Sequence, residues 1–219
     1  MQSTRHLLIA AVVLFAAGSS AASSSAPIIV PPVRVEAPDC VALVGSLAGV
    51  PASLGRFQVT VRDIANNPLN NATVVVDLSR CGDLRLCADP LDPTIVVDCA
   101  ARTAVSHTNA LGIATFTLLG GSLGYSTAAP SSRGAMGRIF VPPYPDYGVD
   151  VAVNACDLDG FQGVGAHDFS LWLTDFGSGV PWARSDYDCS GEVGANDLAL
   201  WLEVFGEGLM SNSCASLCP

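Results

Sequence analysis

Hydrophobic and polar positions change rhythm along the 219 residues. Leu7 to Ala17 is an unbroken apolar run behind Arg5 and His6, and small residues follow from Gly18 to Ser25. That order matches the basic, apolar and small-residue regions of a secretory signal peptide. It predicts cleavage after Ala22, with Ser20 at −3, and so a segment 1–22 that is removed. The run is short for an uncleaved membrane anchor, and no lipobox cysteine follows it. Residues 23–39 are Pro-rich with alternating apolar positions and read as an extended N-terminal segment. Over 40–141 the pattern becomes short β-like runs: Phe57 to Val61, Thr73 to Leu78, Thr94 to Val97, Ile113 to Leu119 and Arg138 to Val141. Asn66-Asn67-Pro68 and Asn70-Asn71 supply turn chemistry between them. Short strands at such intervals predict an all-β sandwich. Residues 142–150, beginning Pro142-Pro-Tyr-Pro, read as a stiff linker.

From 151 to 208 the apolar spacing turns helical. Phe169, Trp172, Leu173 and Phe176 form one stripe, and Leu198, Trp201, Leu202 and Phe205 form another. Gly177 and Gly206 stand where helix C-caps are expected. Two such helices are predicted to pack on each other about a pseudo-twofold axis, with the tryptophans in their core. Residues 209–219 form a Cys-containing tail.

The stripes belong to a duplication. Asp157-Leu-Asp-Gly-Phe-Gln-Gly-Val-Gly-Ala-His-Asp168 reappears as Asp186-Tyr-Asp-Cys-Ser-Gly-Glu-Val-Gly-Ala-Asn-Asp197, and each copy leads into Leu-Trp-Leu and Phe-Gly. A twelve-residue loop can wrap Ca2+, a hard cation taking six to eight oxygens. Ligands come from positions 1, 3, 5 and 12 and from the carbonyl of 7, with glycine at 6 for the turn. The second copy offers Asp186, Asp188 and Ser190, the Glu192 carbonyl, and Asp197, with Gly191 at position 6 and apolar Val193 at position 8. In the first copy Asp157, Asp159 and Asp168 hold positions 1, 3 and 12, and Gly163 can give the carbonyl. Phe161 brings no oxygen to position 5 and Gln162 replaces the turn glycine, so that loop is a degraded copy. The competing reading of either loop is an Asp- and Gly-rich turn that binds nothing. Short helices are marginal alone, so metal binding and folding are expected to be coupled.

These two loop-helix units resemble a type I dockerin domain, in which each repeat is an EF-hand loop lacking its incoming helix. The resemblance covers about sixty residues and implies a small all-α calcium-binding domain that docks onto cohesin modules, usually tethering polysaccharide-degrading enzymes. Dockerins read their partner at loop positions 10 and 11, often Ser-Thr, and through basic residues on the following helix. Here those positions are Ala166-His167 and Ala195-Asn196, and neither helix carries a lysine or arginine. The calcium chemistry carries over. The cohesin contact does not.

Two stretches of the central region, Val59 to Val74 with Asp63, Asn67-Pro68 and Ala72, and Thr108-Asn-Ala-Leu-Gly-Ile-Ala-Thr-Phe116, are similar to bacterial immunoglobulin-like domains of the invasin and intimin type. That similarity implies an immunoglobulin-like sandwich serving as spacer, stalk or adhesive module, with the second stretch forming a hairpin. Cys81, Cys87 and Cys99 lie in a loop-rich insert between the two stretches and depart from that pattern.

Composition narrows the function classes. Formal net charge is −10, all ten basic residues are arginine, and twelve acidic residues face only Arg184 from Asp146 onward. No basic face is available for nucleic acid or for an anionic membrane. All eight cysteines follow the signal segment, and an even count in an exported chain reads as disulfides. Cys156 and Cys189 are a candidate pair if the two loops lie side by side. A zinc site is disfavoured by the lack of a C-x2-C pair and by the scattered His107 and His167.

Catalysis is not expected. No G-x-S-x-G, H-E-x-x-H or phosphate-cradling loop occurs. The aspartates of the β region (Asp63, Asp77, Asp83, Asp89, Asp92 and Asp98) read as turn or strand-edge residues rather than an opposed catalytic pair. The expectation is a secreted or cell-surface, non-catalytic calcium-binding protein whose helical module docks onto a protein partner such as a cohesin-like domain or a surface component. The alternative is a structural or adhesive matrix protein in which calcium only stabilises that module. An accessory to polysaccharide degradation ranks third.

Overall fold

The computed structural model describes residues 33–47, 50–51, 53–122, 135–160, 163–179, 183–208 and 217–219. The expected signal peptide with its cleavage site, Phe161, Gln162, Cys214 and most of the 209–219 tail lie outside them. The described chain is mostly β-sheet. Its strands are β1 (Val33–Glu36), β2 (Cys40–Leu43), β3 (Ser46–Leu47), β4 (Val50–Pro51), β5 (Arg56–Asp63), β6 (Thr73–Asp77) and β7 (Leu84–Leu86). They continue as β8 (Val96–Asp98), β9 (Thr103–His107), β10 (Ile113–Thr117), β11 (Gly120–Ser122), β12 (Ala135–Phe140) and β13 (Val149–Ala155). Two helices follow, α1 (Ala166–Ser178) and α2 (Ala195–Gly208).

Alternating side chains explain how the two larger sheets close on one another. In the sheet ordered β1-β5-β10, Val59, Val61, Ala114 and Phe116 point into the core, and Phe57 stacks on Phe116 with ring centroids 5.4 Å apart. The six-stranded sheet, ordered β2-β13-β12-β6-β9-β8, answers with Val41, Leu43, Val74, Val76, Ala104, Ile139, Val151 and Val153 in the same cluster. Period-two alternation thus buries one face of each sheet.

Both stretches that resemble immunoglobulin-like domains are corners between these sheets. The chain leaves β5, turns at Asp63–Asn67 and enters β6 in the opposite sheet. Asn67 donates to both Asp63 carboxylate oxygens, from its backbone N–H at 2.8 Å and its side chain at 3.0 Å. The second stretch is not a hairpin, because β9 and β10 lie in different sheets. Its Asn109–Gly112 turn carries the chain across, and Gly112 (φ 74°) is required there because a Cβ would meet the Val61 carbonyl oxygen at 2.5 Å. Thr108 ties the two corners together. Its hydroxyl accepts from the Ala72 N–H at 2.8 Å and donates to the Leu69 carbonyl at 2.5 Å.

The boundary expected at residue 150 falls inside β13. That strand pairs antiparallel with β12 and parallel with β2, and all described residues belong to one compact unit, Pro31–Pro219. The Pro-rich stretch is also folded back. Arg138 donates from Nε to the Pro145 carbonyl at 2.8 Å and pairs with Asp150 at 3.2 Å. The extended N-terminal segment likewise contributes β1, in register with β5 from Val33↔Asp63 to Glu36↔Thr60.

β2 and the Val151–Ala155 part of β13 are buried on both faces, and β2 accordingly reads as a continuous apolar run. Val41 and Leu43 enter the first core, whereas Ala42 and Val44 enter a second. That second core also contains Leu119, Cys156, Leu158, Val164, Trp172, Tyr187, Trp201 and Val204. The two helices therefore pack on the β region rather than only on each other. They touch through Phe169 and Trp201, whose rings stack at 5.2 Å, and the Trp201 indole N–H donates to the Cys156 carbonyl at 3.4 Å. The expected stripes shift accordingly. Trp172, Trp201 and Val204 are buried, while Leu173, Phe176 and Leu202 are 46, 52 and 48 % exposed. Gly177 and Gly206 lie inside their helices, and α1 is capped by Gly179 in the left-handed conformation.

The cysteines depart from the expected pairing. Cys189 is bonded to Cys40, and Cys99 to Cys218. Cys87 is also disulfide-bonded, while Cys81 and Cys156 are buried free thiols. Cys189 is taken by Cys40, and Cys156 sits inside the second core, where burial pushes its thiol well above the usual range. The insert is stapled through Cys99, and Arg102 gathers it by donating to the carbonyls of Ser79, Cys81 and Leu84.

Since helices and sheets share a core, Trp201→Ala is expected to lower the unfolding free energy of the whole unit by about 3–5 kcal/mol, the usual cost of deleting a buried aromatic side chain. Urea unfolding followed by circular dichroism at helix- and sheet-sensitive wavelengths checks this. A shift in the helical signal alone would contradict the shared core.

Candidate metal centres

Each repeat gathers its three aspartates. Carboxylate oxygens of Asp157, Asp159 and Asp168 lie within 4.8 Å of one another, and so do those of Asp186, Asp188 and Asp197. Positions 1 and 12 are buried in both copies; position 3 is half-buried at Asp159 and exposed at Asp188. The donor set is oxygen throughout, which suits a hard cation rather than zinc.

The closing aspartate has two tasks. Asp168 is the third residue of α1, and its Oδ2 accepts from the Gly165 N–H at 2.7 Å, satisfying a donor at the helix start. Its Oδ1 reaches back across the loop to the N–H groups of Leu158 (2.7 Å) and Asp159 (3.1 Å). Asp197 repeats this pattern atom for atom. Its Oδ2 accepts from Gly194 at 2.8 Å, and its Oδ1 from Tyr187 at 2.6 Å and Asp188 at 3.1 Å. Position 1 closes the opposite side of each turn. Asp157 accepts from Gly160 at 2.6 Å, and Asp186 from Ser190 at 2.9 Å and Gly191 at 2.8 Å.

The remaining expected ligands are placed unequally. The Ser190 N–H also donates to Asp188 at 2.9 Å, and its hydroxyl donates to the Glu192 carbonyl at 3.2 Å. Gly191, with φ 91°, makes the sharp turn expected of position 6. In the first loop left-handed backbone occurs at Gly160 and at Gly163. His167, at position 11, bonds through Nδ1 to Asp159 Oδ2 at 2.5 Å and engages a position-3 carboxylate.

Burial and mutual repulsion perturb these groups. Loss of hydration, and next the Asp168 charge, push Asp157 up to about 7 from its ordinary 3.8. Burial also raises Asp168 and Asp186. Asp188 is held low, chiefly by its hydrogen bond with Ser190.

Three features around the loops were not singled out from sequence. Asp175, on the buried face of α1, receives a two-pronged contact from Arg184, with Nη2 to Oδ1 at 2.6 Å and Nε to Oδ2 at 2.8 Å. Ser185 donates to Oδ2 at 2.7 Å. Its only sequence signal is that Arg184 is the sole base of the acidic third. Buried Asn154 on β13 donates to the Asp186 carbonyl at 2.5 Å. Tyr187, at position 2, is buried against the second core.

Comparison with known protein families, curated proteins and solved structures returns no match.

Asp157, Asp168 and Asp186 are raised in the folded chain, so the metal-free fold holds protons that the unfolded chain releases. Its stability is fullest below the unfolded carboxylate pKa, near 4, and declines as pH rises through about 7, where Asp157 ionises. Thermal melts in chelator between pH 4 and pH 8 should therefore show a falling melting temperature. A rising one would contradict the carboxylate crowding.

Proposed function

We propose that this is a secreted, non-catalytic calcium-binding protein in which a dockerin-like pair of loop-helix repeats is built onto an immunoglobulin-like sandwich. The observation that carries the reading is the exact correspondence of the two aspartate groups: the same loop positions, the same three N–H donors to position 12, and the same buried helix start. Gathering three carboxylates is costly unless a cation shares their charge. Asp186, Asp188, Asp197, Ser190 and the Glu192 carbonyl would hold Ca2+ in the second loop. Asp157, Asp159, Asp168 and the Gly163 carbonyl would hold it in the first, with water filling the place of the absent position-5 oxygen and a lower affinity as the consequence.

The work proposed for the helical region is protein docking or surface anchoring. Leu173, Phe176 and Leu202 remain outside although their helices are amphipathic, and Leu173 and Leu202 are equivalent positions of the repeat. Two related apolar ridges without a lysine or arginine suit a protein surface better than a nucleic acid or an anionic membrane. No helix among the described residues is long and apolar enough to cross a membrane. The matrix or adhesive reading, in which calcium only braces the fold, is favoured by a different observation, the second core shared between loops, helices and β2. A pull-down that recovers no protein partner from surface extracts would decide for it.

Calcium titration by calorimetry tests the metal. At least one site is expected, and Asp197→Ala should abolish binding at the second loop, since it removes a ligand and three backbone contacts together. At a hundredfold excess over the dissociation constant, calcium should add about 2.7 kcal/mol of stability by linkage. An unchanged titration in Asp197→Ala would remove the reading.

A further inference from the structure

Cys189 stands at position 4 of the second loop with φ 54°, one of four described non-glycine residues in left-handed backbone. The equivalent place in the first loop is Gly160, φ 71°, where no side chain opposes that conformation. Cys189 has a Cβ that disfavours it, and its sulfur is bonded to Cys40, the first residue of β2, 149 positions earlier. β2 runs parallel to β13, with Ala42 opposite Asn154. Asn154 grips the same loop from that neighbouring strand through the Asp186 carbonyl, and its amide also lies 3.7 Å from Cys40 Sγ. Two adjacent strands thus hold both sides of the turn 186–189, one by a covalent bond and one by a buried hydrogen bond.

We propose that the Cys40–Cys189 disulfide keeps the second loop in its metal-ready form, so that calcium binding there depends on the oxidised bond and calcium in turn protects that bond from reduction. This rests on the calcium reading above and adds its regulation. An added dithiol would cleave the bond to two thiols while closing to its own disulfide, so electrons and protons balance. Cys189, released from β2, leaves the left-handed region. The adjoining Ser190 N–H, which now reaches both Asp186 and Asp188, then turns away and the carboxylates lose their common geometry. Reciprocity follows from linkage, because whatever the disulfide does for calcium, calcium must do for the disulfide. The first loop is the internal control. It has glycine at position 4, and the cysteine beside it, Cys156, is an unpaired thiol.

Calorimetry with calcium on the oxidised protein, Cys40→Ser and Cys189→Gly tests the dependence. Cys40→Ser removes the tether and leaves a strained residue, so the second site should weaken about tenfold, within the usual range of coupling between sites. Cys189→Gly removes the tether but accepts the backbone, so its loss should be smaller. The first site should be unchanged in both. Unaltered second-site affinity in Cys40→Ser overturns the proposal. If that variant does not fold, the unmodified protein decides. Its disulfides are reduced with a dithiol in calcium or in chelator, trapped by alkylation and mapped by mass spectrometry. Calcium should slow cleavage of Cys40–Cys189 by a larger factor than that of Cys99–Cys218, which shares only the gain in global stability; equal slowing of the two overturns the proposal. Absence of calcium uptake by the oxidised protein would instead overturn the calcium reading itself.

Discussion

Everything in the acidic third hangs on the twelfth residue of each loop. Asp168 and Asp197 are buried carboxylates that each accept three backbone N–H bonds, one from the helix start and two from the opening of the loop. A carboxylate so placed fixes the loop's closure and the helix's origin together. Helix direction then decides where Trp172 and Trp201 arrive, and those rings build the second core. Because β2 and β13 also line that core, the loops are continuous with the sheets. Local charge and global packing are consequently one problem: what relieves the crowding of three carboxylates also steadies the strands behind them.

Much of the β region was legible because its strands are half-buried and alternate. β5 and β6 fall almost where Phe57 to Val61 and Thr73 to Leu78 placed them: β5 keeps the period of two that one buried face leaves, and β6 is marked by its run of β-branched residues. β13 was hidden by its setting. Val149, Val151 and Val153 alternate with Asp150, Ala152 and Asn154, but their position after a proline cluster made the stretch read as the approach to a separate module. The corner at Thr108–Gly112 is not the hairpin that the resemblance implied, because turn residues announce a reversal without saying which sheet the next strand joins. Pairing partners are non-local, and no local pattern carries them.

The grouping of the loop aspartates was legible residue by residue, since their spacing within each twelve-residue copy already places them together. What surrounds them was not. Asn154 and Cys40 reach the second loop from other elements, and the parallel pairing of β2 with β13 brings them side by side. Asp175 had the look of one more solvated acid. Its distinguishing mark was the lone Arg184, and a buried carboxylate of this kind requires a partner because an unpaired buried charge is strongly destabilising. The helix stripes were half right for a geometric reason. The tryptophans are covered by Ala42, Val44 and Leu119 as well as by the other helix, so Trp172 and Trp201 turn inward while Leu173 and Leu202 stay at the rim.

That rim bears on purpose. A helix pair folding by itself would have to spend its whole apolar stripe on its own core, leaving little for a partner. Here the β region supplies Ala42, Val44 and Leu119 to cover the tryptophans, which frees Phe176, Leu173 and Leu202 to face outward without loss of the inner packing. The two related ridges are thus a consequence of building the repeats onto the sheets. Sharing a core stabilises the loops beyond what metal alone would do for so short a pair of helices, and the same sharing leaves apolar surface available for recognition. Calcium-dependent order and partner binding would then draw on opposite sides of the same two helices.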